Sequence, residues 1–294
     1  MNPIILHINY LETTYFVLGG SIRSICEKAA KWGYNGIEFR GKVPTNFEGS
    51  LEAYLDEIAA AKKEFGLTHI VFGKDVEGCS SSDADVRAKA LQTATDFFAM
   101  AHDKVGSCLF NTFADFKACT NGNIAPGCYD FNGSYVATED EWKYTADTYQ
   151  KLGRTMEQRG IKLAFETHMS YIHDRPASTK KLVDLIDSAA VGVNMDYGNT
   201  IYFVNVPSPA ETVELYGDKL FYMHLKNSIT VGNLPRVPTS LAQGEINHRT
   251  YLAKVKEIGF HGPIGIEAPR GGDREWFARE DLAYFKSVAE ELGL

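Results

Sequence analysis

The chain has 294 residues, of which 44% are hydrophobic and 23% are charged, and its formal net charge is −8 at pH 7. This length and composition are ordinary for a globular protein, and they predict one large domain over residues 1–294. The negative charge argues against nucleic acid or an anionic membrane surface as the main partner.

Nothing in the sequence predicts export or membrane insertion. No apolar run is long enough to span a bilayer, and the first residues lack the basic and apolar segments of a signal peptide. The five cysteines are Cys26, Cys79, Cys108, Cys119 and Cys128, without a Cys-x-x-Cys pair. Their odd number and wide spacing indicate free thiols in a cytoplasmic protein. Cys119 and Cys128 share one predicted loop and would pair only in an exported protein.

Short apolar runs alternate with amphipathic patterns along the chain. In chain order, strands are predicted at residues 4–8, 36–39, 69–72, 107–110, 162–166, 191–196, 220–224 and 263–267. Helices are predicted at about residues 21–32, 51–65, 84–102, 138–158, 178–187, 207–216, 250–258 and 276–292. Ser21, Thr138 and Ser208 stand at helix starts as predicted N-caps, and Thr138 with Glu141 has the capping-box spacing.

Eight strand–helix units without a linker predict an α/β fold of one (β/α)8 barrel, the TIM barrel. An open doubly wound sheet is the alternative, but no glycine-rich dinucleotide fingerprint follows a predicted strand. In a barrel the functional side chains gather at the carboxyl ends of the strands. The sequence therefore directs attention to the residues that end each apolar run.

Two connections are longer than average, at residues 113–137 and 227–247. The first holds Phe113, Phe116, Tyr129, Phe131 and Tyr135, and the second holds Pro235, Pro238 and Gly244. Long loops on the active face of a barrel serve as lids, specificity elements or partner surfaces, and the alternative is an insertion packed on the rim. Because aromatic-rich rim loops are often buried by another chain, we expect a homo-oligomer or a complex with a second subunit.

Four potential metal ligands end four successive predicted strands: Glu166, Asp196, His224 and Glu267. Each side chain is costly to bury unpaired, and parallel strand ends meet on one face of a barrel. The set therefore predicts one divalent metal site. Mn²⁺ and Mg²⁺ fit these ligands best, Co²⁺ or Fe²⁺ is possible, and the lack of thiolate argues against structural zinc. The alternative is that some of these residues are paired core or rim groups.

Four protein ligands would leave room for two substrate oxygens. A divalent ion that holds a carbonyl and an adjacent hydroxyl eases removal of the neighbouring carbon-bound proton, which requires a base close by. His168 lies two positions after Glu166, and Lys226 two positions after His224, so each faces the same side as its ligand. A base and a cation are their predicted roles, and rim positions are the alternative.

Other polar residues fall near predicted strand ends. His7, Asn9, Glu38, Arg40, Lys74 and Asn111 end first-half strands and are candidates for binding substrate hydroxyls or a charged group. Arg270 follows Glu267 closely and is a candidate clamp for a carboxylate or phosphate. His173, Asp174 and Arg175 are expected on the rim.

The chain resembles the xylose-isomerase-like TIM-barrel superfamily, the sugar phosphate isomerase/epimerase group. The motifs that carry the resemblance are Phe165-Glu166-Thr167-His168, Asn194-Met195-Asp196, His224-Leu225-Lys226-Asn227, Gln243-Gly244-Glu245-Ile246-Asn247 and Gly262-Pro263-Ile264-Gly265-Ile266-Glu267. Members of that superfamily bind a divalent metal through Glu, Asp, His and Glu at the matching positions.

The subfamily resemblance is closer to lyases than to epimerases. Ketose 3-epimerases typically carry a histidine after the metal-binding Asp and an arginine after the metal-binding His, whereas this chain has Tyr197-Gly198-Asn199 and Ser228-Ile229-Thr230. The Glu-Thr-His and His-x-Lys-Asn elements look more like those of 3-dehydroshikimate dehydratases and of C-glycoside deglycosidase catalytic subunits. That resemblance implies catalytic roles for His168 and Lys226. No guanidinium ends the fourth predicted strand, where a shikimate carboxylate would be held.

The leading hypothesis is a metal-dependent lyase that removes a proton next to the carbonyl of an oxo-sugar or related polyol and eliminates a β-substituent. The alternative is a ketose isomerase or epimerase in which Glu166 and Glu267 are both ligands and the acid/base pair. A metal-free sugar-binding or assembly protein would require a lost ligand, and none is lost. An abasic-site endonuclease would need more His and Glu ligands and a basic groove.

Overall fold

The computed structural model describes residues 2–119, 128–232, 236–268 and 270–294. Its strands are β1 (Ile4–His7), β2 (Gly36–Arg40), β3 (His69–Asp75), β4 (Leu109–Phe113), β5 (Lys162–Glu166), β6 (Val191–Asp196), β7 (Leu220–Leu225), β8 (Ser228–Ile229), β9 (Val237–Pro238) and β10 (Ile264–Ile266). Residues 120–127 of the long aromatic loop and Pro235 of the second long loop lie outside the described residues.

Eight of these strands form a closed parallel barrel in the order β1-β10-β7-β6-β5-β4-β3-β2. The barrel closes where β1 pairs with β10, with Ile4 opposite Ile264 and Leu6 opposite Ile266. This closure confirms the predicted TIM barrel and excludes the open doubly wound sheet. The strands β8 and β9 form a separate two-stranded antiparallel hairpin after β7, which the sequence patterns do not predict.

The helices pack around this barrel. They are α1 (Ile22–Trp32), α2 (Leu51–Phe65), α3 (Ala84–Val105), α4 (Glu139–Glu157), α5 (Pro176–Ile186), α6 (Tyr197–Thr200), α7 (Pro209–Tyr216), α8 (His248–Glu257) and α9 (Arg274–Leu292). The predicted caps are confirmed, because the side chains of Ser21, Thr138 and Ser208 each accept a hydrogen bond from the backbone N–H three residues later. None of the helices among the described residues has the length and apolar character that crossing a bilayer requires.

Inside the barrel, side chains stack in layers drawn from alternate strands, as in other TIM barrels. Ile5, Val71, Ala164 and Tyr222 form one buried apolar cluster that is separate from the larger core between barrel and helices. Because side chains alternate along a strand, residues two positions later point to the same interior nearer the carboxyl ends. Glu166 therefore lies on the same side of β5 as Ala164, and His224 on the same side of β7 as Tyr222. The barrel interior thus changes from apolar to ionisable within two residues along each strand.

Some boundaries differ from the predicted ones. The fourth strand runs over Leu109–Phe113 rather than 107–110, so Asn111 lies inside the strand and not after it. The eighth barrel strand ends at Ile266, and Glu267 directly follows it while its N–H still bonds to the Leu225 carbonyl. The expectation of free thiols agrees with the structure, in which no disulfide joins any of the described cysteines.

Candidate active site

The four predicted ligands converge at the carboxyl ends of their strands. Glu166, Asp196, His224 and Glu267 each offer one ligand atom, and these atoms all lie within 4.8 Å of one another. Strand pairing produces the convergence, because Asp196 on β6 lies opposite His224 on β7, and His224 lies opposite Gly265 on β10. The sequence-based expectation that these residues share one site is therefore supported by the geometry.

Three of these ligand atoms are buried without a hydrogen-bond partner among the described residues: Asp196 Oδ2, His224 Nδ1 and Glu267 Oε2. They face one another and the ammonium ion of Lys226, with His224 Nδ1 lying 2.8 Å from Glu267 Oε2 and 3.6 Å from Asp196 Oδ2. Buried polar atoms without regular hydrogen bonds are costly and rare, and here they point at a common centre. Three carboxylates and one imidazole form a donor set that fits a hard to borderline divalent cation.

Glu38, on β2, holds the imidazole of His224 in place. The Nε2–H of His224 donates to Glu38 Oε2 at 2.7 Å, so Nδ1 faces the other ligands. The same carboxylate accepts hydrogen bonds from the Tyr222 hydroxyl at 2.8 Å and from Asn111 Nδ2 at 2.9 Å. Asn111 Nδ2 also donates to Glu166 Oε2 at 2.7 Å. A hydrogen-bonded chain therefore joins two ligands through the barrel interior.

The electrostatics of the site are strongly coupled. Burial raises the pKa of Glu38, but the adjacent His224 imidazole outweighs it and leaves that pKa below its ordinary value. Burial lowers the pKa of His224, and the carboxylates of Glu38, Glu166 and Glu267 overcome it and raise that pKa well above the usual range. Burial is the main cause that raises the pKa of Glu166, against the opposing effect of Lys226 and His224. The cluster thus concentrates negative charge where a cation would bind.

Lys226 lies directly beside the ligands, as its position in the sequence predicts. Its Nζ is 2.7 Å from Asp196 Oδ2, 3.2 Å from Glu267 Oε2 and 3.7 Å from Glu166 Oε1. Burial lowers the pKa of Lys226, but these three carboxylates raise it well above its ordinary value. A Cβ at Gly198 would lie 2.3 Å from Lys226 Cβ, so the lysine can take this place only because residue 198 has no side chain.

Asn199, on the short helix α6, is a site residue that sequence reasoning missed. Its Nδ2 donates to Glu166 Oε1 at 2.9 Å, and its Oδ1 accepts from Lys226 Nζ at 3.2 Å. Asp196 caps α6 by accepting the Asn199 N–H, which fixes the helix against the ligand set. Asn199 therefore connects a ligand to the neighbouring ammonium ion. Its position three residues after Asp196 was the available signal.

His168 lines a polar cavity of about 310 Å³ together with Glu166 and Glu267. Its Nδ1 lies 2.9 Å from the Met169 carbonyl oxygen, which can only accept a hydrogen bond. Nδ1 must therefore carry a proton, and in the neutral ring Nε2 carries the lone pair. The ring packs edge-on against Phe113 and Tyr171, with centroid distances of 6.0 and 5.4 Å. These contacts support the ring at the wall of the cavity.

The predicted substrate-binding residues have different surroundings. His7 lines the polar cavity, with Nδ1 3.8 Å from Glu267 Oε1, and Asn111 lines it from β4. The structure does not bring Arg270 to the ligands. The guanidinium of Arg270 donates to Asp281 Oδ2 at 2.7 Å and to Glu280 Oε2 at 3.1 Å, both on α9. Asp281 is fully buried and needs a cationic partner, which accounts for this placement.

The prediction that His173 and Asp174 lie on the rim is wrong. Both are fully buried. His173 donates from Nδ1 to the Glu166 carbonyl at 2.6 Å and accepts at Nε2 from the Ala114 N–H at 3.1 Å, so it joins the ends of β4 and β5. Burial lowers the pKa of His173 to about 3, which keeps the ring neutral. The loop folds back over the barrel, a feature that spacing alone does not reveal.

Asn227 connects the motif His224-Leu225-Lys226-Asn227 with the motif Gln243-Gly244-Glu245-Ile246-Asn247. Its Nδ2 donates to the carbonyls of Leu241 and Ile246, and its Oδ1 accepts from the Ile246 N–H at 2.9 Å. A Cβ at Gly244 would lie only 1.9 Å from Asn227 Oδ1, so glycine is required where the loop passes the amide. The residue after Lys226 therefore anchors the loop that follows β9.

Residues 26–288 match the xylose isomerase-like TIM barrel family. An inosose dehydratase from Bacillus thuringiensis (strain Al Hakam) is 29% identical over 201 residues, which is 66% of this chain and 59% of that protein. The matches to inosose dehydratases span between 31% and 59% of the length of those proteins.

Solved structures share the fold at lower identity. A probable 3-DHS dehydratase from Bacillus anthracis is 16% identical with a TM-score of 0.75, covering 97% of this chain and 99% of that one. A D-allulose 3-epimerase from Methylomonas sp. is 17% identical with a TM-score of 0.72, covering 98% of each chain. Since the family match covers most of the sequence, the chain belongs to the xylose isomerase-like TIM barrel family.

Proposed function

We propose that this protein is a divalent-metal-dependent lyase that removes the proton next to the carbonyl of an oxo-sugar or related polyol and eliminates a β-substituent. The observation that carries the proposal is the convergence of four buried or nearly buried ligand residues, whose ligand atoms lie within 4.8 Å of one another beside Lys226, at a polar cavity that His168 also lines. Mn²⁺ is the proposed metal, with Mg²⁺ or Co²⁺ as alternatives, because oxygen ligands outnumber nitrogen and no thiolate takes part.

Glu166, Asp196, His224 and Glu267 would hold the cation, which when bound supplies the Lewis acidity that polarises a carbonyl. His168 Nε2 takes the proton from the carbon next to that carbonyl, since its lone pair is free for this role. Lys226 stabilises negative charge on the substrate oxygen and donates a proton to the departing hydroxyl, which leaves as water. The base gains one proton and the leaving group takes one, so elimination is balanced without another reactant.

The named relatives support a dehydratase. The relative from Bacillus thuringiensis is named an inosose dehydratase and the solved structure a probable 3-DHS dehydratase, and both names describe an enzyme that removes water from its substrate. The substrate class that we propose is therefore a small oxo-polyol. A reducing compartment such as the cytoplasm fits the absence of disulfides among the described cysteines. Phe116 and Tyr135 remain more than half exposed on the active face, which supports the proposed oligomer or second subunit.

A ketose 3-epimerase is the second candidate, because Glu166 and Glu267 both border the cavity and an epimerase shares the fold. In that reaction the two carboxylates exchange the proton, and His168 is dispensable. Ketose 3-epimerases typically carry a histidine shortly after the metal-binding Asp, where this chain has Tyr197-Gly198-Asn199, and Asn199 is engaged by hydrogen bonds to Glu166 and Lys226. This arrangement favours the lyase.

The decisive experiment follows the reaction by NMR in deuterated water. Chelated protein, reloaded with Mn²⁺, is incubated with inososes, 3-dehydroshikimate, 3-oxo-glycosides and ketoses, and the reactions are quenched before spectra are recorded. A dehydrated product that requires metal, and that His168→Ala abolishes, supports the lyase. His261→Ala, at an exposed position, is the matched control and keeps full activity. Deuterated epimer without elimination, retained in His168→Ala but lost in Glu267→Gln, would overturn the lyase in favour of the epimerase.

A further inference from the structure

A second cavity of about 310 Å³ adjoins the polar one, and its walls are mainly apolar. The lining includes Ile8, Ile22, Ile25, Phe39, Val43 and Tyr54, drawn from the β1–α1 segment, α1, β2, the following loop and α2. All of these except Val43 are buried. Apolar cavities of roughly half this volume stay dry and take up small apolar molecules such as benzene. The lining therefore suits an uncharged ring or alkyl group.

The two cavities share a wall. Phe39, Arg40 and Lys42 line both, so the apolar cavity adjoins the ligand cavity at the carboxyl end of β2. Glu12 holds the guanidinium of Arg40, accepting from Nη2 at 2.5 Å and from Nε at 3.2 Å, and Arg274 binds the other oxygen of Glu12 at 3.4 Å. This ion pair places polar groups at the boundary between the two cavities, and Lys42 and Thr45 add two further polar side chains to a lining that is otherwise mainly apolar.

We propose that the apolar cavity binds an uncharged, ring-sized substituent carried by the substrate, so that the natural substrate is an oxo-polyol bearing an apolar group and not a bare polyol. This inference rests on the proposed function for the polar end. Pockets of about 300 Å³ are at the lower limit for small-molecule sites, which excludes a peptide or a long acyl chain as the occupant. The polyol occupies the polar cavity, and the substituent passes the Arg40–Glu12 pair.

The test compares two unreactive probes, methyl β-D-glucopyranoside and phenyl β-D-glucopyranoside, by NMR titration of the Mg²⁺-loaded protein. Burial of a phenyl group is expected to make the phenyl glucoside bind about 10- to 100-fold more tightly. Val43→Phe fills part of the cavity, and we expect it to remove most of this difference while leaving methyl glucoside binding unchanged. Val86→Phe, at an exposed position on α3, is the matched control and keeps the difference.

A measurement on the unsubstituted protein covers the case in which Val43→Phe fails to fold. With methyl-labelled isoleucine and valine, the phenyl protons are expected to show nuclear Overhauser effects to Ile22, Ile25 and Val43. Equal affinity for the two glucosides, or contacts only to methyl groups elsewhere, would overturn the inference. Because binding is measured without turnover, a phenyl preference in a protein that catalyses no elimination would refute the proposed function alone. Elimination of bare polyols without a phenyl preference would refute this inference alone.

Discussion

Glu38→Gln tests whether the barrel interior prepares the metal site. Glu38 is almost completely buried and does not belong to the four predicted ligands, yet its carboxylate accepts hydrogen bonds from His224, Tyr222 and Asn111 at 2.7, 2.8 and 2.9 Å. Glutamine keeps the shape but replaces one acceptor oxygen with an NH₂ group. Since all three partners donate, that NH₂ must face at least one donor.

The energetic cost of Glu38→Gln depends on which of the three hydrogen-bond donors can reorient. Tyr222 can rotate its hydroxyl, but Asn111 cannot flip without losing its bond to Glu166 Oε2 at 2.7 Å and the bond it accepts from Asn194 at 3.1 Å. A hydrogen bond to a charged group contributes about 1.5 to 3 kcal/mol. Removing the negative charge also makes the His224 imidazole a weaker ligand. Loss of such a supporting contact lowers metal affinity about 10- to 100-fold, or by about 1.4 to 2.7 kcal/mol.

The assay is isothermal titration of chelated protein with Mn²⁺, supported by competition with a chelator of known affinity. Tyr222→Phe is the matched control, because it removes one donor to the same carboxylate and keeps the charge, so its effect is expected to be the smaller. Circular dichroism verifies that both variants are folded. If Glu38→Gln binds Mn²⁺ with less than a tenfold loss, or if Tyr222→Phe loses more, the reasoning about His224 orientation is refuted.

Three further predictions concern stability. Burial lowers the pKa of His248 to about 4, so the unfolded chain binds a proton that the folded one refuses, and stability falls as pH drops from about 6.5 towards 4. The free energy of unfolding, measured with urea at pH 7 and at pH 5, is expected to fall between the two pH values in the unsubstituted protein. In His248→Gln this fall is expected to be smaller by about 2 kcal/mol. A methyl at Gly265 would lie 2.5 Å from the Tyr222 hydroxyl oxygen, so Gly265→Ala is expected to lower the melting temperature and weaken Mn²⁺ binding. Arg270→Leu leaves Asp281 buried without its cation and is expected to cost about 3 to 5 kcal/mol in unfolding free energy with KM unchanged. A raised KM at full stability would instead restore Arg270 to substrate binding.

The sequence predicts the four ligands because two simple rules act together. Each residue ends an apolar run, and carboxylates or imidazoles that end buried strands need a partner. The sequence ranks Glu38 no higher than Arg40 or Lys74, because a polar residue at a strand end does not reveal which face it occupies. Register decides that, since Glu38 pairs beside Val71, a residue of the interior apolar cluster. Pairing across strands is information that local pattern does not contain.

Arg270 shows the opposite failure. Proximity to Glu267 in sequence suggested proximity in the site, but the chain turns after β10 and the guanidinium meets Asp281, eleven residues later on α9. Asp281 also accepts from the Tyr10 hydroxyl at 2.8 Å and from the Leu241 N–H at 2.9 Å, so it gathers three segments around one buried charge. The arginine is required there to neutralise that charge. Asp281 lies on the buried face of α9, where an amphipathic pattern predicts an apolar residue. The sequence pattern therefore does not reveal that Arg270 has a buried carboxylate to pair with.

The charges of the site assign its chemical roles. Three ligand carboxylates and that of Glu38 are opposed, among the described residues that touch them, chiefly by the ammonium ion of Lys226 and the imidazole of His224. Such an excess of buried negative charge is stable only with additional positive charge, which a divalent cation supplies. An ammonium ion in contact with three carboxylates is a proton donor and cannot accept one. The accepting group must therefore be another side chain of the cavity wall, and for the proposed lyase we assign this role to His168, whose Nε2 is not used by the bond from Nδ1 to Met169.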